Sequence, residues 1–77
     1  MQNNLSCVSG DFFDTIQILY QNKQINKSKK NQLVCLFKNS LSEDYLDDKL
    51  ISELKQIQYS IDIQFIGLIE ELIILLQ

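Results

Sequence analysis

The chain has no histidine, no arginine and no proline, and only two glycines and two cysteines among its 77 residues. Each absence removes a class of chemistry. Without histidine, acid–base catalysis near neutral pH loses its usual group. Zinc loses its commonest nitrogen ligand, and two distant thiols, Cys7 and Cys35, do not make a metal site. Without arginine there is no bidentate fork for reading base edges, so a nucleic-acid partner is not expected. Without proline, and with only Gly10 and Gly67 as breakers, a turn-rich β fold is disfavoured and long helices are favoured. The cysteines form no CxxC pair. The opening MQNNLSCVSG has neither a basic start nor an apolar run, so no signal peptide is expected. A reducing, cytoplasmic setting without a disulfide follows as the expectation.

What is present is apolar and unevenly charged. At 45% hydrophobic residues the chain can build a core and is not a disordered tail. A single domain of this length buries about 60% of its unfolded surface. Such a core rarely supplies more than about 3–5 kcal/mol without help. With disulfide and metal set aside, that help must come from helix packing or a partner. Through Lys38, five lysines face Asp11 and Asp14, a net +3; from Leu41 onward, Lys49 and Lys55 face eight acids, a net −6. Lys23, Lys27, Lys29 and Lys30 form a basic patch. It reads as a solvated loop and helix start, with contact to phosphate or peripheral contact at an anionic membrane surface as the alternative.

Periodicity predicts an all-α fold, a small antiparallel helical bundle of three to four helices, spanning residues 11–77 after a flexible start over 1–10. Phe12, Ile16, Leu19 and Tyr20 share one face of a first helix, with Asp11 as its cap and Asp14 in its first turn. NKSKKN is a linker whose Ser28 would cap a second helix carrying Leu33, Leu36, Phe37 and Leu41. Cys35 beside that stripe is expected as a small buried hydrophobe. Ser40 and Glu43 have capping-box spacing, with Ser42 a competing cap. A third helix then carries Leu46, Leu50, Leu54 and Ile57, flanked by Ile51 and Tyr59. Asp44, Asp47 and Asp48 lack the alternation and glycine of a calcium loop, and are read as first-turn acids.

The end of the chain is harder to place. Residues 59–63 alternate like a strand but have no partner strand, so they are read as an irregular junction before a fourth helix that starts at Ser60 or Asp62. The competing reading is one helix from 43 to 77. Beyond Phe65 run two apolar stripes about 100° apart: Phe65, Leu68, Leu72 and Leu75, and Ile66, Ile69, Ile73 and Leu76. The first is expected to face the core. The second, Ile66, Ile69, Ile73 and Leu76, is expected to face a protein partner or a second copy of the chain in a homodimer. The run is too short to span a membrane, and Glu70 and Glu71 interrupt it.

YLDDKLISELKQIQ, IDIQF and IGLIEELIILL together resemble the second half of the cytoplasmic immunity proteins of class II bacteriocins, the enterocin A immunity type. The resemblance rests on Leu46-Asp47, on Leu50, Ile51 and Leu54, on the alternating link, and on Glu70-Glu71-Leu72-Ile73. FFDTIQILYQ, with Leu19-Tyr20, is similar to that family's first helix. The resemblance implies self-protection of a producer cell by binding a complex of toxin and membrane receptor from inside, with no catalytic residue. Independently of it, no catalytic, metal or cofactor residue is assigned and an enzyme is not expected, because a carboxylate or Cys35 would lack a paired base. The alternative is another helical interaction module, such as a secretion chaperone or phage-encoded inhibitor, that binds a partner through the C-terminal apolar helix.

Overall fold

The computed structural model describes residues 8–43 and 45–76. They form four helices: α1 (Ser9–Gln21), α2 (Lys27–Glu43), α3 (Asp48–Ile57) and α4 (Ile63–Leu76). No strand occurs among the described residues. Each helix packs on its sequence neighbours, and α4 returns to pack on α1. The result is a closed antiparallel ring around one contiguous core, measuring 34 × 22 × 20 Å.

Side-chain period explains which faces turn inward. Phe12, Ile16 and Leu19 of α1 are buried, as are Leu33 and Phe37 of α2 and Leu50, Ile51, Leu54 and Ile57 of α3. Phe12 and Phe37 stack at 4.2 Å between ring centroids, and Phe13 meets both rings edge-on. That cluster joins α1 to α2 through the geometry aromatic rings prefer.

The helix ends differ from the sequence expectation in instructive ways. α1 begins at Ser9, with Asp11 in its first turn and no side-chain cap at Val8. Of the start expected to be flexible, Ser9 and Gly10 are therefore helical, and residues 1–7 lie outside the described residues. Asn26 and not Ser28 serves the start of α2, its Oδ1 accepting from the Lys29 N–H at 2.7 Å. The Ser40–Glu43 box does not form. Ser40 lies inside α2, buried, and its hydroxyl donates to the Leu36 carbonyl and accepts from the Asp47 N–H, both at 3.1 Å. Asp47 caps α3 through Lys49 N. Asp48 stands in the first turn, and Asp44 lies outside the described residues. A buried serine that bridges two helices satisfies a backbone donor that a surface cap would leave to water.

α1 ends in a Schellman closure. Gln24 N donates to Leu19 O at 2.8 Å and Lys23 N to Tyr20 O at 3.1 Å, with Lys23 in the left-handed region at φ 62°. Glycine is the usual residue there, so the helix stop carried no sequence signal beyond polarity. Gln24 then reaches across the molecule. Its carboxamide accepts from Asp62 N at 2.8 Å and donates to Asp62 Oδ2 at 3.3 Å. This double contact ties the α1–α2 connection to the start of α4.

The alternating stretch is a junction, and the single helix from 43 to 77 is excluded. Turn hydrogen bonds Tyr59 N to Gln56 O and Ser60 N to Ile57 O close α3, and the Ser60 hydroxyl adds a second bond to Ile57 O. Ile61 plugs into the core while Tyr59 and Ile63 point out. Of residues 59–64 only Ile61 is buried, so the strand-like alternation does not correspond to an alternation of inward and outward side chains.

Candidate binding surface

Ile69, Ile73 and Leu76, expected to face a partner, are 0%, 8% and 0% exposed, and Ile66 is half-buried. Of the stripe expected to be core, Leu72 is buried, but Phe65 and Leu68 are only half-buried and Leu75 is 45% exposed. α4 touches both α1 and α3, so its inward arc is centred on the second stripe. The first stripe falls at the seam with α1.

At that seam lies a groove of about 260 Å³. Leu68, Leu72 and Leu75 of α4 form its apolar floor, and Asp11, Asp14 and Thr15 of α1 and Glu71 of α4 complete the lining. Helical spacing aligns each wall: Asp11, Asp14 and Ile18 along α1, and Gln64, Leu68, Glu71 and Leu75 along α4. Ile18 is partly exposed and extends the α1 wall by one turn. Among the described residues no ion pair reaches Asp11, Asp14 or Glu71.

Beyond Glu71 the outer line of α4 carries Ile63, 85% exposed, and Ile74, 71% exposed, with Gly67 between them. A Cβ at Gly67 would meet nothing within 4 Å. No neighbour within the chain therefore requires a glycine at this helical position, where it costs about 1 kcal/mol relative to alanine.

A larger concavity, about 540 Å³, lies at the α1–α2 connection. One stretch of chain lines it, through Tyr20, Gln21, Lys23, Gln24, Ile25 and Asn26. Two of its polar side chains are committed: Gln24 is tied to Asp62, and Asn26 Oδ1 accepts from Lys29 N. We prefer the α1–α4 groove as the candidate surface. It has two rigid walls, an apolar floor and uncommitted charges, whereas the larger hollow is the open side of a loop.

The basic patch is divided. Lys29 pairs with Glu53 of α3 at 2.6 Å, and Lys30 lies 4.6 Å from the Tyr20 ring centroid. Lys23 and Lys27 are exposed. Cys35 is exposed and free, contrary to the buried position expected for it. It sits on the side of α2 away from Leu33 and Phe37. Among the described residues no group of three metal-ligating side chains converges, and no helix is long and apolar enough to cross a membrane.

No protein-family model, curated protein or solved structure matches the chain. The α1 half of the groove was missed by sequence reasoning. Asp11 was read as a helix cap and Asp14 as a first-turn acid, and only ring closure brings them to Glu71. The available signal was the complete lack of lysine in both α1 and α4.

Proposed function

We propose that this chain is a non-catalytic binding protein of the bacteriocin-immunity type. It protects a cell by engaging a complex of peptide toxin and membrane receptor from the cytoplasmic side. One observation carries the reading: the residues of the resemblance occupy coherent places in the fold. Asp47 caps α3, Leu50 and Leu54 lie in the core, the alternating link turns the chain, and Glu70-Glu71 lie exposed on α4 between Ile63 and Ile74. A protein that works by occupancy needs a stable frame and an exposed recognition edge. Here the frame is the closed ring and the edge is the outer side of α4.

The test is expression of the chain in a strain sensitive to class II bacteriocins, with survival scored against a panel of such peptides. Protection with the peptide recovered intact is the expected result. Sensitivity equal to the empty strain across the panel, including any bacteriocin encoded beside the gene, would falsify the reading. The exposed edge of α4 favours a second reading, a helical interaction module serving some other partner such as a secretion or phage protein. Capture of such a partner from a strain lacking any bacteriocin receptor would select it.

A further inference from the structure

We infer that the α1–α4 groove is a docking site for a cationic amphipathic helix. The apolar side of such a helix would seat on Leu68, Leu72 and Leu75, and its basic side chains would meet Asp11, Asp14 and Glu71. The inference deepens the reading of the chain as a binding protein and does not depend on the partner's identity.

Charge is the first argument. α1 carries Asp11 and Asp14, α4 carries Glu70 and Glu71, and neither helix contains a lysine. α2 and α3 carry Lys27, Lys29, Lys30, Lys38, Lys49 and Lys55 against Glu43, Asp48 and Glu53. The formal balance is −4 on the α1–α4 pair and +3 on the α2–α3 pair. Acids line both walls of the groove, and no cation of the chain pairs with those walls among the described residues. A ligand that brings cations completes the site, and complementarity of this kind steers and orders docking.

Shape is the second argument. A seam between two antiparallel helices accepts a third helix laid along it, through apolar anchors at helical spacing. Gly67 stands one turn before Glu71 on the adjoining outer line of α4, beside the residues that line the groove, with open space over it. A side chain there would hold a docked backbone away, and its absence allows close approach. The exposed apolar residues carried on helices, Phe13, Ile18, Ile63, Ile74 and Leu75, all belong to α1 or α4.

A second copy of the chain fits less well. A two-fold dimer across this seam would set the acidic walls of the two copies, Asp11, Asp14 and Glu71, against one another, and like charges across an interface are repulsive. An anionic membrane surface is disfavoured for the same reason.

The probe is a synthetic amphipathic peptide of leucine and lysine, with a twin carrying glutamate in place of every lysine. Each is titrated into the isotopically labelled full chain and followed by amide chemical shifts. The lysine peptide should shift Asp11–Thr15 and Leu68–Leu75, and the glutamate twin should not. Glu71→Lys and Asp14→Lys, both at exposed positions, should each weaken binding by about tenfold or more while circular dichroism stays unchanged. Salt at about 0.5 M should weaken wild-type binding as well. Equal binding of the glutamate twin, shifts centred elsewhere, or unchanged affinity in both variants would overturn the inference. So would dilution shifts in these residues together with a dimer in sedimentation, which would make the occupant a second copy. Cell protection by a chain that binds neither peptide would overturn the groove and leave the immunity reading standing. Peptide binding by a chain that protects no cell would support the groove and remove the immunity reading.

Discussion

The two halves of the ring use similar ingredients to opposite ends. On the α2–α3 side several polar and charged groups are engaged within the molecule. Ser40 bridges the two helices, Lys29 pairs with Glu53, and Lys30 leans on Tyr20. Neither α2 nor α3 exposes a large apolar side chain. On the α1–α4 side the carboxylates are unpaired among the described residues, Ile63, Ile74 and Leu75 reach solvent, and a glycine interrupts α4 without a packing reason. Both sides build the core, and only the α1–α4 side carries exposed features that intramolecular packing does not explain. A domain with about 3–5 kcal/mol of core stability has little to spare for such features, which is why we assign them to binding.

The sharpest way to break that comparison is inside α4. Ile69→Lys places an ammonium where no water reaches, and Leu72→Ala opens a core cavity that typically costs about 2–5 kcal/mol. Both variants should lose helical circular dichroism at room temperature or melt far below wild type. An Ile69→Lys protein that melts like wild type would show that the inward arc of α4 is wrongly placed.

The α2–α3 side should respond next. Ser40→Ala leaves the Asp47 N–H without its acceptor and should cost about 1–2 kcal/mol, read as a lower urea midpoint at unchanged slope. No loss at all would mean that water or another group replaces the hydroxyl. The opposite sign is expected on the other side. Gly67→Ala should raise stability by about 0.5–1 kcal/mol, since nothing lies within 4 Å of the new methyl. A destabilised Gly67→Ala would reveal a contact that the open surface does not account for.

The smallest effects are expected for surface charge and surface apolar groups. Lys29→Met removes a partly exposed ion pair and should cost no more than about 1 kcal/mol, less at high salt. Ile74→Glu should leave stability within about 0.5 kcal/mol of wild type, because Ile74 is 71% exposed. A large loss from Ile74→Glu in dilute solution would place that side chain in an interface of the chain with itself.

Much of this architecture was legible before any coordinates. The stripes Phe12–Ile16–Leu19, Leu33–Phe37 and Leu50–Leu54–Ile57 all lie in the core, because a 3.6-residue period with one apolar face has few ways to be buried. The break at 59–63 was legible because alternation cannot continue a helical stripe. Capping was less so. Ser28, Ser40 and Ser42 all had plausible spacing, yet Asn26 and Asp47 serve α2 and α3. Short polar residues compete for the same role within a few positions, and the choice depends on where the chain must turn.

The sequence by itself determined an all-α fold of three to four helices, which of their residues are apolar, and that histidine and arginine chemistry are unavailable to it. The tertiary structure decided which way α4 faces and where the charges meet. Two adjacent apolar stripes on one helix are equivalent until the neighbours are known, and contact with both α1 and α3 turned Ile69, Ile73 and Leu76 inward. The linear division into a basic first part and an acidic second part was likewise redrawn. Ring closure sets acidic α4 beside acidic α1 and leaves the lysines on α2 and α3, because electrostatic neighbourhood is fixed by distance in space and not by order along the chain.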